Sequence, residues 1–327
     1  MASSKKKAAA RKAAKKVVKA AAKNVTASEY KKNPLKTIIS AVIVVAFILI
    51  GWYMSDESAG PVNQGQTTQV PQATGEAMIV RFIDVGQGAS TLISMGDEHI
   101  LIDAGENDQG EVVVDALEAW GVKTLSLVIG SHPHSDHIGG MDTVMKAVDT
   151  EKYLMPEIAH TSKTFLSVLD VLEDKQIAVE YPKPGDSYKV GSMVLTVLGP
   201  EKADEEDLNN SSIVARIESE YGSVVVPADA EASAEENILN SGLTLQADVL
   251  QMGHHGSNTS NTEAFVEAVD PDYVVFPVGE GNSYGHPHDE VLALVEKNGY
   301  TAYRTDWHGD VTCIMDAEGI RFTTEKE

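Results

Sequence analysis

The chain has 327 residues, one cysteine (Cys313) and a formal net charge of −23. A single cysteine excludes an intramolecular disulfide and any cysteine-based structural metal site. The charge is divided: residues 1–36 hold 12 of the 26 Lys and Arg and one acid, Glu29, for +11, leaving 14 basic against 48 acidic residues, −34, in the rest. So acidic a body disfavours passive adhesion to polyanions and argues against a simple DNA-binding module, but not against a nuclease whose bound divalent cations supply local positive charge.

Residues 1–36 are rich in Ala and Lys, and Lys12, Lys16, Lys19 and Lys23 fall along one face of a helix. Without interleaved aromatics for base stacking, this segment reads as a cytoplasmic tail drawn to anionic lipid rather than as a nucleic-acid binder. Residues 37–54 are 18 predominantly apolar residues without a charge, ending in Trp52, Tyr53 and Met54. As a helix they would span roughly 27 Å, near the hydrocarbon thickness. Basic residues precede the run and the next one is Arg81, so the positive-inside rule predicts a single-pass anchor with a cytoplasmic N-terminus and an extracellular body. A cleaved signal peptide is the rival reading, against which the long basic segment and the length of the run both count. Residues 55–76 are polar, with Gly, Pro, Gln and Thr, and read as a flexible linker.

From residue 77 to 327 short apolar runs alternate with helical patterns. Strands are expected at 78–83, 90–94, 99–103, 125–129, 190–198, 213–217, 224–226, 249–252, 273–278, 301–303 and 311–315. Helices are expected at 112–120, 141–148, 164–173, 232–239, 262–269 and 290–297. The fold class is α/β, as two mixed sheets with helices outside.

The most informative run follows the 125–129 strand: Ser131-His-Pro-His-Ser-Asp-His-Ile-Gly-Gly140. His132, His134, Asp136 and His137 are ligand types suited to zinc, or to manganese where oxygen donors predominate. A ligand loop at the carboxyl end of a strand is where open α/β sheets place chemistry. A solvated His-rich turn is the alternative, but seven of the ten histidines lie in three short runs. The other two are Gly253-His-His-Gly-Ser257 and Ser283-Tyr-Gly-His-Pro-His288. Asp84, Asp103 and Asp229 each stand just past an apolar strand. Taken singly, Asp84 reads as a hairpin residue and Asp229 as a helix cap.

Together these runs resemble the metallo-β-lactamase superfamily and, more narrowly, the C-terminal extracellular nuclease-like domain of ComEC-type competence proteins. The resemblance rests on Asp84-Val-Gly-Gln-Gly88, Ile102-Asp-Ala-Gly105, His132-Pro-His-Ser-Asp-His137, Asn209-Asn-Ser-Ser212, Asp229, His254-His-Gly-Ser257 and Gly285-His-Pro287, and covers about residues 78–321. It implies a metallo-β-lactamase-like αβ/βα sandwich with one or two divalent ions between the sheet edges. His132 and His134 would bind one ion; Asp136, His137 and His254 would bind the other, with Asp229 between them. Asp84, Asp103, Asn210, Ser212 and His255 would support the ligands, and Ser257 and His286 would face the substrate. Three departures matter. Asn209 to Ser212 stand where many superfamily hydrolases have a further His, which predicts one weak or vacant metal position. Ala228 and Ala89 stand where Gly and an acid are common. One apolar run replaces the many spans of a competence channel, so the chain is not expected to form a DNA-conducting pore.

The resulting expectation is a membrane-anchored extracellular metal-dependent phosphodiesterase acting on DNA. Asp136 would orient the attacking water, Ser257 would meet the phosphate oxygens, and His286 would protonate or stabilise the leaving oxygen. Phosphodiesters of a cell-wall polymer are an alternative substrate, and a non-catalytic, metal-stabilised surface binding module is an alternative class.

Overall fold

Strands whose every residue is apolar require cover on both faces, and that requirement organises this protein into four layers. The computed structural model describes residues 77–326. The expected tail (1–36), membrane helix (37–54) and linker (55–76) lie outside the described residues, and among the described residues no helix is long and apolar enough to cross a membrane.

One sheet has eight strands, in spatial order Gly319–Thr324, Val311–Asp316, Met78–Phe82, Thr91–Met95, Glu98–Ile102, Leu127–Ile129, Lys152–Leu154 and Ala178–Glu180. The other has seven, in order Thr301–Arg304, Tyr273–Phe276, Val249–Gln251, Gly222–Val226, Val214–Ser219, Met193–Gly199 and Ser187–Val190. In each sheet the strands nearer one edge pair in parallel and those nearer the other pair antiparallel.

Side-chain alternation distributes each strand between two cores. Ile100 and Ile102 face the slab between the sheets, as do Leu127, Ile129, Val224 and Val226. Leu101 and Val128 face the opposite way, onto the helices Gly110–Ala119, Met141–Ala147 and Lys163–Lys175. Val225, Leu250 and Val274 do the same in the second sheet, against Ala232–Asn240, Glu263–Val269 and Asp289–Asn298. Within this apolar slab a buried polar pair joins the two sheets, Thr91 Oγ1 donating to Gln251 Oε1 at 2.6 Å.

The expected run at 190–198 is instead a hairpin, Ser187–Val190 and Met193–Gly199, turned at Gly191 with φ +57°. The strands Lys152–Leu154, Ala178–Glu180 and Gly319–Thr324, and the short helices Ser135–Ile138 and Thr305–His308, were not expected. The strands Ala178–Glu180 and Gly319–Thr324 lie at sheet edges and carry no buried residue, so they lack an apolar signature.

Two glycines bring the ligand loop against its neighbours. A Cβ on Gly88 would stand 2.6 Å from the Asp136 carbonyl oxygen, and one on Gly140 would collide with the Ala104 carbonyl. Gly140→Ala should therefore cost roughly 2 kcal/mol or more, within the range for overpacking of a tight interior. Denaturant unfolding reads this directly, and an unchanged midpoint would show that the loop yields without strain.

Candidate metal centre

The ligand loop begins where Leu127–Ile129 ends. Asp103, at the end of the neighbouring strand, accepts from the Ser131 backbone N–H (2.8 Å), the Ser131 hydroxyl (2.7 Å) and His137 Nδ1 (2.8 Å). Its carboxylate is 1% exposed, and its backbone adopts φ +61°, which aims the side chain back under the loop. Backbone bonds close the other side: Ala104 N–H donates to His137 O at 2.7 Å and Ala89 N–H to Asp136 O at 3.1 Å. His134 ends in extended backbone, after which Ser135–Ile138 makes one helical turn with Asp136 in it, where a carboxylate suits the amino end.

From the second sheet, Gly222–Val226 delivers Asp229 and Val249–Gln251 delivers His254 and His255. Asp229 is 2% exposed. Its Oδ1 lies 3.0 Å from His137 Nε2 and 3.8 Å from His255 Nε2; its Oδ2 lies 3.8 Å from His132 Nε2 and 3.6 Å from His254 Nε2. Two ligand groups result: Asp136, His137, Asp229 and His255 in one, and His132, His134 and Asp229 in the other. Within each, the donor atoms lie within 4.8 Å of one another.

These residues fit a divalent cation on three grounds. Donors about 2.1 Å from a tetrahedral ion stand roughly 3.4 Å apart, and Asp136 Oδ2 is 3.3 Å from His255 Nε2 and 3.9 Å from His137 Nε2. His137 Nε2, His255 Nε2 and Asp229 Oδ1 are buried without a satisfying hydrogen bond, a costly state unless a cation draws on them. The far nitrogen of each imidazole is also committed, His137 Nδ1 to Asp103 and His255 Nδ1 to the Pro277 carbonyl at 2.8 Å. That arrangement leaves the Nε2 atom of each ring as the one directed at a cation.

The electrostatics agree. Burial pushes the Asp229 carboxyl up, but His137 and His255 overcome it and hold it well below the usual carboxylate range. Burial likewise raises Asp136, and the His255 hydrogen bond with the charges of His137 and His255 brings it below that range. His137 goes the other way: burial lowers it, but Asp229 and Asp103 together hold it well above an ordinary imidazole. Burial lowers His132 and His134.

The structure redistributes several expected roles. His255, not His254, joins Asp136 and His137. His254 stands on the His132 side, with its Nδ1 on Thr259 Oγ1 (3.2 Å) and Glu231 Oε1 (3.4 Å). Two successive left-handed residues, His254 (φ +50°) and His255 (φ +56°), send the adjacent rings to different sides. Ser257 does not face a substrate: it is 3% exposed and its hydroxyl pairs with Thr259 Oγ1 and accepts from Thr259 N–H. Asp84 does not reach the ligand loop either, because its carboxylate takes the Gly86 N–H and Lys326 Nζ. Asn210 Oδ1 accepts from the Glu231 and Ala234 backbone, tying down the start of the helix after Asp229. Ser212 Oγ lies 3.3 Å from His132 Nδ1, in the supporting position expected of it. His286 packs its ring 5.6 Å from His254, and burial with the neighbouring imidazoles lowers it to about 4, so it is neutral at pH 7.

Sequence reasoning missed three supports. Glu231 joins Asn209 Nδ2, Thr259 and His254. Asn261 binds Gly253 N–H, Gly253 O and Ser257 O, holding the left-handed turn closed. Glu235, 1% exposed, accepts the Asn261 and Thr262 N–H groups. Only the polar crowding of residues 257–262 hinted at Asn261, and nothing in the pattern marked the two glutamates.

The fold and this ligand set place the chain in the metallo-β-lactamase superfamily, whose family description matches residues 83–280. Curated relatives include ComE operon protein 3 of Bacillus subtilis, 30% identical over 71% of this chain and 32% of its own length. Competence protein ComA of Neisseria gonorrhoeae is 30% identical over 73% of this chain and 32% of its own length. Recombination protein 2 of Haemophilus influenzae is 28% identical over 66% of this chain and 26% of its own. The chain thus spans about a third of the length of the curated relatives it matches. Among solved structures, CmlA, a diiron β-hydroxylase from Streptomyces venezuelae, shares the fold with a TM-score of 0.50 at 15% identity, over 77% of this chain and 55% of that one.

Asp103→Asn should preserve far-ultraviolet circular dichroism yet weaken zinc or manganese binding roughly 10- to 100-fold, the usual consequence of losing a support behind a ligand. Chelator competition measures it, and unchanged affinity would mean that packing alone orients His137. Because metal-free His137 keeps its proton above the ordinary imidazole range, a cation must displace that proton. Affinity should therefore climb with pH above about 6.5, where His132 and His134 are already neutral. Calorimetry in buffers of different ionisation enthalpy should show proton release, and pH-independent binding with no release would contradict the assignment.

Proposed function

We propose that this protein is a membrane-anchored, metal-dependent phosphodiesterase that cleaves nucleic acid outside the cell. The observation that carries the reading is the shared carboxylate: Asp229 lies between two ligand groups, His132 and His134 on one side and Asp136, His137 and His255 on the other. Divalent cations held by these residues would supply Lewis acidity at a phosphate and a nucleophilic water at neutral pH. The relationship to competence and recombination proteins favours DNA over other diesters.

The chain's own residues divide the remaining work. Asp136 is the ligand-loop carboxylate open to solvent, with its side chain 29% exposed, and it orients the attacking water. His255 and His137 hold Asp136 ionised, so that it can accept a hydrogen bond from that water. His254, anchored from behind by Glu231 and Thr259, presents Nε2 beside Asp229 at the substrate side. His286, neutral at pH 7, stabilises the leaving oxygen through an N–H hydrogen bond rather than as an imidazolium acid. The 37–54 run is the proposed anchor, with its basic flank in the cytoplasm and the body outside.

Asp136→Ala should reduce kcat/KM on bis-p-nitrophenyl phosphate and on DNA by roughly 10²- to 10⁴-fold, and chelation of the wild-type protein should do the same, reversibly. Turnover that survives both would sink the reading. Cleavage of the small diester with none of DNA would move the substrate to another class of phosphodiester. For topology, an alkaline phosphatase reporter fused after Glu327 should be active, since it folds only outside the cytoplasm; an inactive but expressed fusion would reverse the orientation.

A further inference from the structure

Among the described residues two large aromatic side chains stand exposed, Tyr284 at 67% and Trp307 at 61%. Trp307 is covered by the Arg304 guanidinium, 3.8 Å from its ring centroid and itself fixed by two bonds to Asp306. Tyr284 has no such cover. Its one ring contact is with His286, at 5.7 Å and an interplanar angle of 24°. His286 lies at 6.3 Å and 27° from His255, whose Nε2 belongs to the group with Asp136, His137 and Asp229. Neighbouring rings thus overlap stepwise from solvent to the ligand cluster, with His286 separating Tyr284 from a ligand.

The loop carrying Tyr284 is held in place. Asn282 Oδ1 accepts the Tyr284 N–H at 3.2 Å and the His286 N–H at 3.0 Å, while its Nδ2 donates to the carbonyls of Gly279 and His286. An exposed aromatic on a clamped backbone is ordered before any ligand arrives, which removes part of the entropic cost of binding. The loop's charge is equally informative. Residues 279–288 contain Glu280 and no Lys or Arg, and the acidic body offers little with which to pair phosphates. Affinity for a nucleic acid at this rim cannot come from the usual phosphate contacts. A π-face attracts a base whatever the local charge and whatever the sequence.

We infer that Tyr284 is the stacking platform for an unpaired nucleobase next to the scissile phosphate, so that the substrate enters as a single strand. This rests on the phosphodiesterase reading above and specifies its substrate. A duplex keeps its base faces inside the helix and offers none to Tyr284; an extruded base one nucleotide from the cut does.

The test is kcat/KM of the full-length protein, loaded with zinc or manganese, on a single-stranded oligodeoxynucleotide and on an abasic one of equal length. Wild type should favour the base-bearing strand by roughly ten- to a hundredfold, through KM, as expected for one stacked base. Tyr284→Ala should collapse that ratio towards one, and Tyr284→Phe, which keeps the ring and loses the hydroxyl, should retain it. A ratio kept in Tyr284→Ala overturns the inference even if both rates fall, because it would mark Tyr284 as a support for His286. So would a wild-type ratio near one, or duplex cleaved as well as single strand; in these cases the nuclease reading survives. Failure of the wild type to cleave either oligonucleotide overturns the nuclease reading itself, and this inference with it.

Discussion

The contact between Asp229 and His137, 3.0 Å long and wholly buried, joins the two halves of the protein. One partner comes from a loop of the eight-stranded sheet and the other from a loop of the seven-stranded sheet. Burying a carboxylate there is tolerable only because imidazoles surround it, and burying those imidazoles is tolerable only because carboxylates and carbonyls take their far nitrogens. Asp103 behind His137, Pro277 behind His255, and Ser131 and Ser212 against His132 complete that network. The site is a set of mutually dependent buried polar groups, in which each member's environment is another member.

Such a network needs a backbone that departs from ordinary conformations. Asp103, Ala228, His254 and His255 all adopt positive φ without being glycine, at a cost of order 1–3 kcal/mol each. Local bonding offsets it: Asn261 grips both ends of the turn, Glu235 grips Asn261 in turn, and the His254 N–H donates to the Ala228 carbonyl at 2.8 Å. The strain therefore sits at a ligand, His255, and at residues beside or behind the ligands, and local hydrogen bonds offset it.

Strands such as Leu127–Ile129 and Tyr273–Phe276 were legible in the sequence because they read as unbroken apolar runs. Edges were not. Gly319–Thr324 alternates half-buried with exposed residues, carries Arg321 and is flanked by Glu318 and Glu325, so nothing separates it from a loop until Val311–Asp316 is seen beside it. The ligand loop was legible because four ligating side chains in six residues have few other uses. Which of the two adjacent histidines enters the cluster was not, because the answer depends on two left-handed residues in succession, a choice made by tertiary bonds from Asn261 rather than by local preference. Ser257 misled for a related reason: a hydroxyl next to a ligand can face the cleft or close its own turn, and burial decided for the turn.

The Thr91–Gln251 hydrogen bond gains meaning from where it lies. Apolar contact holds the two sheets together but is indifferent to their sliding, since it has no direction. The metal ligands are not indifferent, because they arrive from both sheets and a coordination sphere tolerates little error. Thr91 begins the strand that follows the Gly88 contact with the ligand loop, and Gln251 ends the strand that leads to His254 and His255. Any slip of one sheet over the other leaves two polar groups unpaired among apolar side chains. The pair works as a dowel between two lubricated plates, setting the alignment of the jaws several residues before the jaws themselves begin.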